Sequence, residues 1–302
     1  MGLLFDVQDY KKLRVIVDTD AACEADDPFA IAHALMSPKL MVKGIVAEHF
    51  NVPGSVKRSY DEIATILEAM DKDVPFYMGQ EAQITSAMLA GEDGAFDNVS
   101  EGVEFIINEA LTEDEHPLFV LCQGAITNVA VAMAKCPEIK DKMTVIWIGT
   151  HGAPADEIPF REFNAGNDVP AANFLLGSGV NLWLVPSSVY ITITIGIAEI
   201  QRQIMPYGKI GKHLFDQMVE YNNSEGAAWT KGESWSLGDS PAIAIAINPD
   251  CGHYKMIEAP VIDDETRSLY EAGRPIIRLY TDVDSRYVLG DFIAKLQLNY
   301  GE

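Results

Sequence analysis

Short, unbroken apolar runs alternate with amphipathic stretches along most of this chain. The runs Leu13–Asp18, Met41–Glu48, Leu118–Gln123, Met143–Gly149 and Asn181–Pro186 predict strands that are covered on both faces, since a half-exposed strand would alternate polar and apolar positions. The stretches Pro28–Met36, Ser59–Met70, Gly102–Leu111 and Thr127–Lys135 predict helices between them. That alternation predicts an α/β fold: an open, mostly parallel, doubly wound sheet with helices on both faces. From about residue 198 the pattern turns more helical, with Lys212–Tyr221 and Ser240–Ile247. A late strand, Pro275–Tyr280, precedes a C-terminal helix around Val288–Gln297. No repeat, low-complexity tract or long linker interrupts the pattern. Residues 1–302 are therefore expected to form one large domain, its helix-rich part completing the site.

Polar residues gather where the predicted strands end. Asp18 and Asp20 follow the first, Glu48, His49 and Asn51 the second, Gln123 the third, and Thr150 and His151 the fourth. Open α/β sheets bind ligands just beyond the carboxyl ends of their strands, so these groups point to one pocket.

Charge narrows what that pocket serves. The chain carries 22 Lys and Arg against 45 Asp and Glu, a net charge of -23. Such a surface repels phosphate backbones and anionic lipid, which argues against nucleic-acid and membrane partners. Hydrophobic residues make up 48% and charged residues 22% of the chain, the balance of a globular protein rather than a disordered one. No apolar run approaches the length of a membrane span. Cys23, Cys122, Cys136 and Cys251 show neither a C-x-x-C pair nor zinc spacing, and are read as reduced thiols in a cytoplasmic protein.

The segment VIVDTDAACEADDPFAIAHAL concentrates Asp18, Asp20, Glu24, Asp26 and Asp27 behind an apolar strand. Pro28 suits the first turn of a helix, and capping by Asp26 or Asp27 accounts for one or two of these carboxylates. Five so close repel one another unless a cation sits among them. Oxygen-only ligands suit Ca²⁺ or Mg²⁺ rather than zinc. A strand ending Asp-x-Asp also occurs in haloacid-dehalogenase-type phosphatases, but those usually place Thr or Val where this chain has Ala22.

With its acidic loop the sequence resembles the inosine–uridine-preferring nucleoside hydrolase family, whose members begin with a strand ending D-x-D-P-G-x-D-D. Here the loop reads D-T-D-A-A-C-E-A-D-D, two residues longer and without Pro-Gly. Further similar blocks follow in the family's order. GIVAEHFN ends at Asn51, and LCQGAITNVA is similar to P-T-G-G-L-T-N-I-A. EFNAGNDVPAA is similar to E-F-N-x-x-x-D-P-E-A-A, and WSLGDSPAIA to L-H-D-P-x-A-V-A. The blocks run from residue 14 to about residue 246.

The resemblance implies a Ca²⁺-dependent nucleoside N-ribohydrolase that releases free base and ribose through an oxocarbenium-like transition state. It implies Asp20, Asp27 and Asp239 as side-chain ligands of Ca²⁺, with the Gln123 carbonyl as a further ligand. Asp20 would also take a proton from the metal-bound water. Asp26, Asn51 and Asn164 would bind ribose hydroxyls and Glu162 the 5′ end of the sugar. A homo-oligomer, dimer or tetramer, is implied as well. Ring carboxylates would stabilise positive charge on the sugar and disfavour nucleotides. One departure stands out: many family members carry His immediately before the last Asp, as the acid for the departing base, and here that position is Gly238. His49 and Trp235 are taken as candidates for the base side, with Trp229, His151, Tyr221 and Asn222 behind them. Asp156 lies near the position of a family asparagine. Without the histidine, a non-catalytic nucleoside- or ribose-binding protein and a hydrolase of another ribosyl compound remain alternatives.

Overall fold

Along the first strand, side chains of LRVIVDT point alternately to the two faces of the sheet, as the period of a strand requires. Val15 and Val17 enter one apolar layer and Ile16 the other. All three are fully buried, so this strand is the spine of the molecule. The computed structural model describes residues 2–152 and 160–301.

The strands of the main sheet are β1 (Leu13–Thr19), β2 (Leu40–Ala47), β3 (Phe76–Met78), β4 (Leu118–Cys122), β5 (Met143–Ile148) and β6 (Asn181–Val185). Short strands β7 (Thr194–Gly196) and β8 (Ser234–Ser236) pair with each other. Then follow β9 (Gly252–Glu258), β10 (Val261–Ile262), β11 (Ser268–Leu269) and β12 (Ile276–Val283). The main sheet has the order β3-β2-β1-β4-β5-β6-β12-β9. Every pairing in it is parallel except that of β9 with β12. The chain runs outward from β1 in one direction to β3, then returns to the other side at β4. The resulting crevice between the carboxyl ends of β1 and β4 is where such sheets bind ligands.

Helices cover both faces. They are α1 (Asp27–Met36), α2 (Ser55–Met70), α3 (Ser86–Ala90), α4 (Glu101–Leu111), α5 (Thr127–Lys135), α6 (Phe163–Asn167), α7 (Val169–Ser178), α8 (Ser187–Tyr190), α9 (Ile197–Gln203), α10 (Gly208–Asn222), α11 (Ser240–Ile247) and α12 (Ser285–Tyr300). Phe29 of α1, Ile63 of α2, Leu214 of α10, Ile243 of α11 and Phe292 of α12 pack on one face. Ile106 of α4, Val129 of α5 and Leu175 of α7 pack on the other. The molecule is thus a single α/β domain of the doubly wound class. The segment after residue 198 is less helical than its pattern suggested, since it also supplies β8 to β12. No described helix is long and apolar enough to cross a membrane.

Candidate active site

Beyond the ends of β1, β4 and β5 lies a cavity of about 530 Å³. Asp20, Glu24, Asp26 and Asp27 reach it from the turn after β1, Gln123 from the end of β4, and Gly238 and Asp239 from the turn before α11. Glu162 and Asn164 line it at the start of α6.

Asp26 and Asp239 occupy the N-cap positions of α1 and α11, yet neither side chain caps its helix. Instead the carboxylates of Asp26, Asp27 and Asp239 converge, with one oxygen of each within 4.8 Å of the others. All three are buried. Asp27 also accepts a hydrogen bond from the Thr19 hydroxyl. Asp20 lies 2% exposed, and its Oδ2 is buried without a partner. Gly124 lets the chain after β4 approach it closely: a Cβ there would stand 2.7 Å from Asp20 Oδ1.

Burying so many carboxylates together disfavours their ionised forms. Burial, followed by the charges of Asp26 and Asp27, pushes Glu24 up to about 8. Burial and then Asp26 push Asp27 up to about 7. Burial takes Asp26 to about 6 against the pull of backbone N–H groups. Asp20 and Asp239 are raised well above the ordinary carboxylate range, first by burial and then by their acidic neighbours. The cluster therefore favours its protonated forms, and an entering cation would displace those protons. The donors fit a hard divalent cation: the set is all oxygen, one buried oxygen is unpartnered, and the approach at Gly124 leaves no room for a side chain.

The sugar-side residues are more constrained. Glu162 accepts from the backbone N–H groups of Thr150 (2.9 Å), Ala165 (2.8 Å) and Asn164 (3.2 Å), and from the Tyr190 hydroxyl (2.9 Å). A sugar hydroxyl reaching Glu162 must compete for an oxygen already engaged. The Asn164 amide donates to the carbonyls of Gln123 and Ile148, both at 2.9 Å, which pins the side chain and leaves its Oδ1 to accept. The side-chain amide of Gln123 is buried with neither its oxygen nor its nitrogen partnered.

A family model described as inosine-uridine preferring nucleoside hydrolase matches residues 15–289. The chain belongs to that family. The pyrimidine-specific ribonucleoside hydrolase RihA of Salmonella typhimurium is 26% identical over 292 residues, 89% of this chain and 89% of its own length. An uncharacterized protein of Schizosaccharomyces pombe is 26% identical over 194 residues, and the chain spans 62% of that protein's length. Among solved structures, a purine-preferring ribonucleoside hydrolase from Gardnerella vaginalis superposes with a TM-score of 0.76 at 23% identity, over 95% of this chain and 99% of that one. A plant nucleoside hydrolase superposes with a TM-score of 0.76 at 19% identity, over 94% of this chain and 98% of that one. The protein is accordingly an N-glycosidase of the ribonucleoside hydrolase type.

In this nucleoside hydrolase three residues expected at the site lie elsewhere. His49 is wholly buried beside α5, outside the cavity lining. Its Nδ1 accepts from the Asn51 N–H (3.2 Å) and its Nε2 pairs with the Thr127 hydroxyl (2.8 Å), which in turn donates to Asp168 (2.7 Å). Burial lowers it to about 4, so it is a neutral structural histidine. Asn51 is exposed, in the left-handed region at φ 57°, because the chain turns away from the strand ends after β2. Trp235 is 3% exposed and belongs to the core. It packs edge-on to Tyr221 and against Trp229, with ring centroids 5.5 and 5.3 Å apart. Trp229 is the tryptophan that lines the cavity. His151 is buried too, with Nδ1 on Ser187 (2.6 Å) and Nε2 on the Phe160 carbonyl (3.1 Å). Asn222 binds the Gly232 carbonyl and Thr230 rather than a ligand. Asp156 lies outside the described residues.

The lining also includes Cys23, Phe160, Phe163, Tyr190 and Ile191, which the sequence did not single out. Tyr190 was within reach of the strand-end rule, since it closes the short helix after β6. Its ring crowds position 238. A Cβ on Gly238 would stand 3.2 Å from Tyr190 Cδ2 and 3.2 Å from Asp26 Oδ2.

Proposed function

We propose that the enzyme hydrolyses the N-glycosidic bond of a ribonucleoside with Ca²⁺ as its cofactor. The observation that carries this reading is the convergence of Asp26, Asp27 and Asp239 in a cavity that Asp20 also lines. Asp20, Asp27 and Asp239 would hold the cation, with the Gln123 carbonyl beside them. When bound, the cation supplies Lewis-acid polarisation of water and of sugar hydroxyls.

The protein's own groups do the remainder. Asp20 would accept the proton of the attacking water. Asp26 and Asn164 Oδ1 accept from ribose hydroxyls and fix the ring. The surrounding carboxylates stabilise positive charge as it grows on the sugar when the bond to the base lengthens. Trp229 and Phe163 offer apolar faces to the base. Four cysteines without a disulfide among them support a cytoplasmic setting, and the dimer or tetramer expected from the family is read by light scattering.

The test is release of free ribose from inosine, adenosine, guanosine, uridine and cytidine, with Ca²⁺ and after EDTA. Metal-dependent release is expected from at least one of them. Asp20→Asn should lower kcat by about 10³-fold while the thermal melt stays cooperative. Full activity in Asp20→Asn overturns this mechanism. Nucleoside binding without any ribose release would instead identify a binding protein on this fold, the reading that the missing histidine at Gly238 favours.

A further inference from the structure

Three features of the cavity wall share one chemical meaning. The first is a surplus of carboxyl groups, which ionise as a cation enters among them. Asp20, Glu24, Asp26, Asp27, Glu162 and Asp239 all line the cavity, and Arg161 is the cationic side chain among the described lining residues. Arg161 is itself committed to the backbone, donating to the carbonyls of Asp264 (2.8 Å) and Gly166 (2.7 Å). A divalent cation and Arg161 together offset half of the six carboxylates. Glu24 stands out within that surplus, because it sits on the lengthened loop after β1 and is not needed for the metal.

The second is that no imidazole or ammonium acid among the described residues faces the leaving group. Among the described residues neither histidine nor lysine lines the cavity. His49 and His151 have both ring nitrogens engaged elsewhere. At position 238 a side chain would press on both Tyr190 and Asp26. The third is aromatic surface: Trp229 is 54% exposed, and Phe160 and Phe163 are each 45% exposed, all at the cavity.

We infer that the preferred substrate is a riboside whose leaving ring already carries positive charge, a quaternary N-ribosyl heteroaromatic cation. This inference rests on the hydrolase reading above. A neutral base must be protonated as it leaves, or it departs as an anion into a negatively charged pocket. A cationic ring needs no acid. The C1′–N bond breaks, its electron pair passes to the ring and neutralises it, and the water oxygen bonds to C1′. One water proton is lost to solvent by way of a carboxylate. Riboside cation and water thus give ribose, neutral base and a proton. The surplus carboxylates attract such a ring, and aromatic faces bind cations through their quadrupoles.

Two matched pairs of probes test this: 7-methylguanosine against guanosine, and 3-carbamoylpyridinium riboside against its neutral 1,4-dihydropyridine form. kcat/KM is divided by the uncatalysed hydrolysis rate of each compound, which removes the intrinsic lability of the cations. The charged member is expected to be favoured by about tenfold in the wild type, and by severalfold less in Glu24→Gln. Turnover of guanosine, uridine or inosine with no preference for the charged members overturns the inference and leaves the hydrolase reading standing. A preference that survives Glu24→Gln unchanged also overturns it, because the surplus charge is then not its source. No ribose from any probe removes the hydrolase reading and the inference with it.

Discussion

Gly238 and Tyr190 act as a pair. The Tyr190 ring lies against the place a Cβ on residue 238 would take, and its hydroxyl ties down Glu162 at 2.9 Å. Restoring a histidine by Gly238→His is therefore expected to lower kcat/KM by at least about tenfold rather than raise it, since the new side chain displaces Asp26 or Tyr190. Turnover assays on inosine and uridine check this, and a gain in activity would show that the wall yields. The acidic cluster after β1 was legible in the sequence because its members are local: a strand, a turn and a helix start fix Asp20, Asp26 and Asp27 with little help from the rest of the chain. Asp239 was legible only through its resemblance to a family block. His49 and Asn51 lie off the cavity lining because the direction of the chain beyond a strand end is a tertiary matter, and here His49 turns toward Thr127 of α5. Trp229 and Trp235 are six residues apart with similar surroundings in the sequence, and only tertiary packing places Trp235 in the core and leaves Trp229 exposed.

At the scale of elements, fully buried strands announced themselves and exposed ones did not. β1, β2, β4, β5 and β6 are unbroken apolar runs, and each was found to within a residue or two. The edge strand β9 reads GHYKMIE and is mostly exposed, so it carries no pattern that marks it as a strand. β3 is only three residues long. Helices extended past their apolar positions by a polar turn, as where α2 begins at Ser55 instead of Ser59.

The ends of β1 and β2 are tied to α5 by one residue. Asn128 donates through Nδ2 to Asp18 Oδ1 (2.8 Å) and through its backbone to Glu48 Oε2 (3.0 Å), while its Oδ1 accepts from the Gln80 N–H (2.7 Å). Asp18 Oδ2 has no hydrogen-bond partner, and burial pushes this carboxyl up to about 7. Asn128→Ala strips Asp18 of its donor inside the protein. The expected cost is about 2–3 kcal/mol of stability in urea melts, because a buried acceptor is left unsatisfied. A loss under about 0.5 kcal/mol would mean that water replaces the amide.

For the whole molecule, protons and metal compete for the same carboxylates, and this sets how stability depends on pH. Glu24 at about 8, Asp27 at about 7 and Asp26 at about 6 bind protons more tightly folded than unfolded, where such groups titrate near pH 4. Their stabilising contribution is complete below the unfolded value and is lost as pH rises through about 6 to 8. His49 works in the opposite sense: lowered to about 4, it contributes fully above about 6.5 and loses that contribution as pH falls toward 4. The metal-free enzyme should therefore lose stability progressively as pH rises from about 4 to about 8, with His49 offsetting part of that loss below about pH 6.5. If Ca²⁺ is the cation, as proposed, it would bind the ionised cluster and should restore most where protons have already left, and saturation at about a hundred times its Kd would add about 2.7 kcal/mol. Melting curves across this range, with EDTA and with Ca²⁺, give the check. The gap between them should widen as pH rises, at a fixed ionic strength that holds constant the screening of a chain with net charge -23. A gap that stays constant from pH 5.5 to 8.5 would mean that the cation binds away from these carboxylates, because only a site that shares their protons can transmit their titration to the stability of the fold.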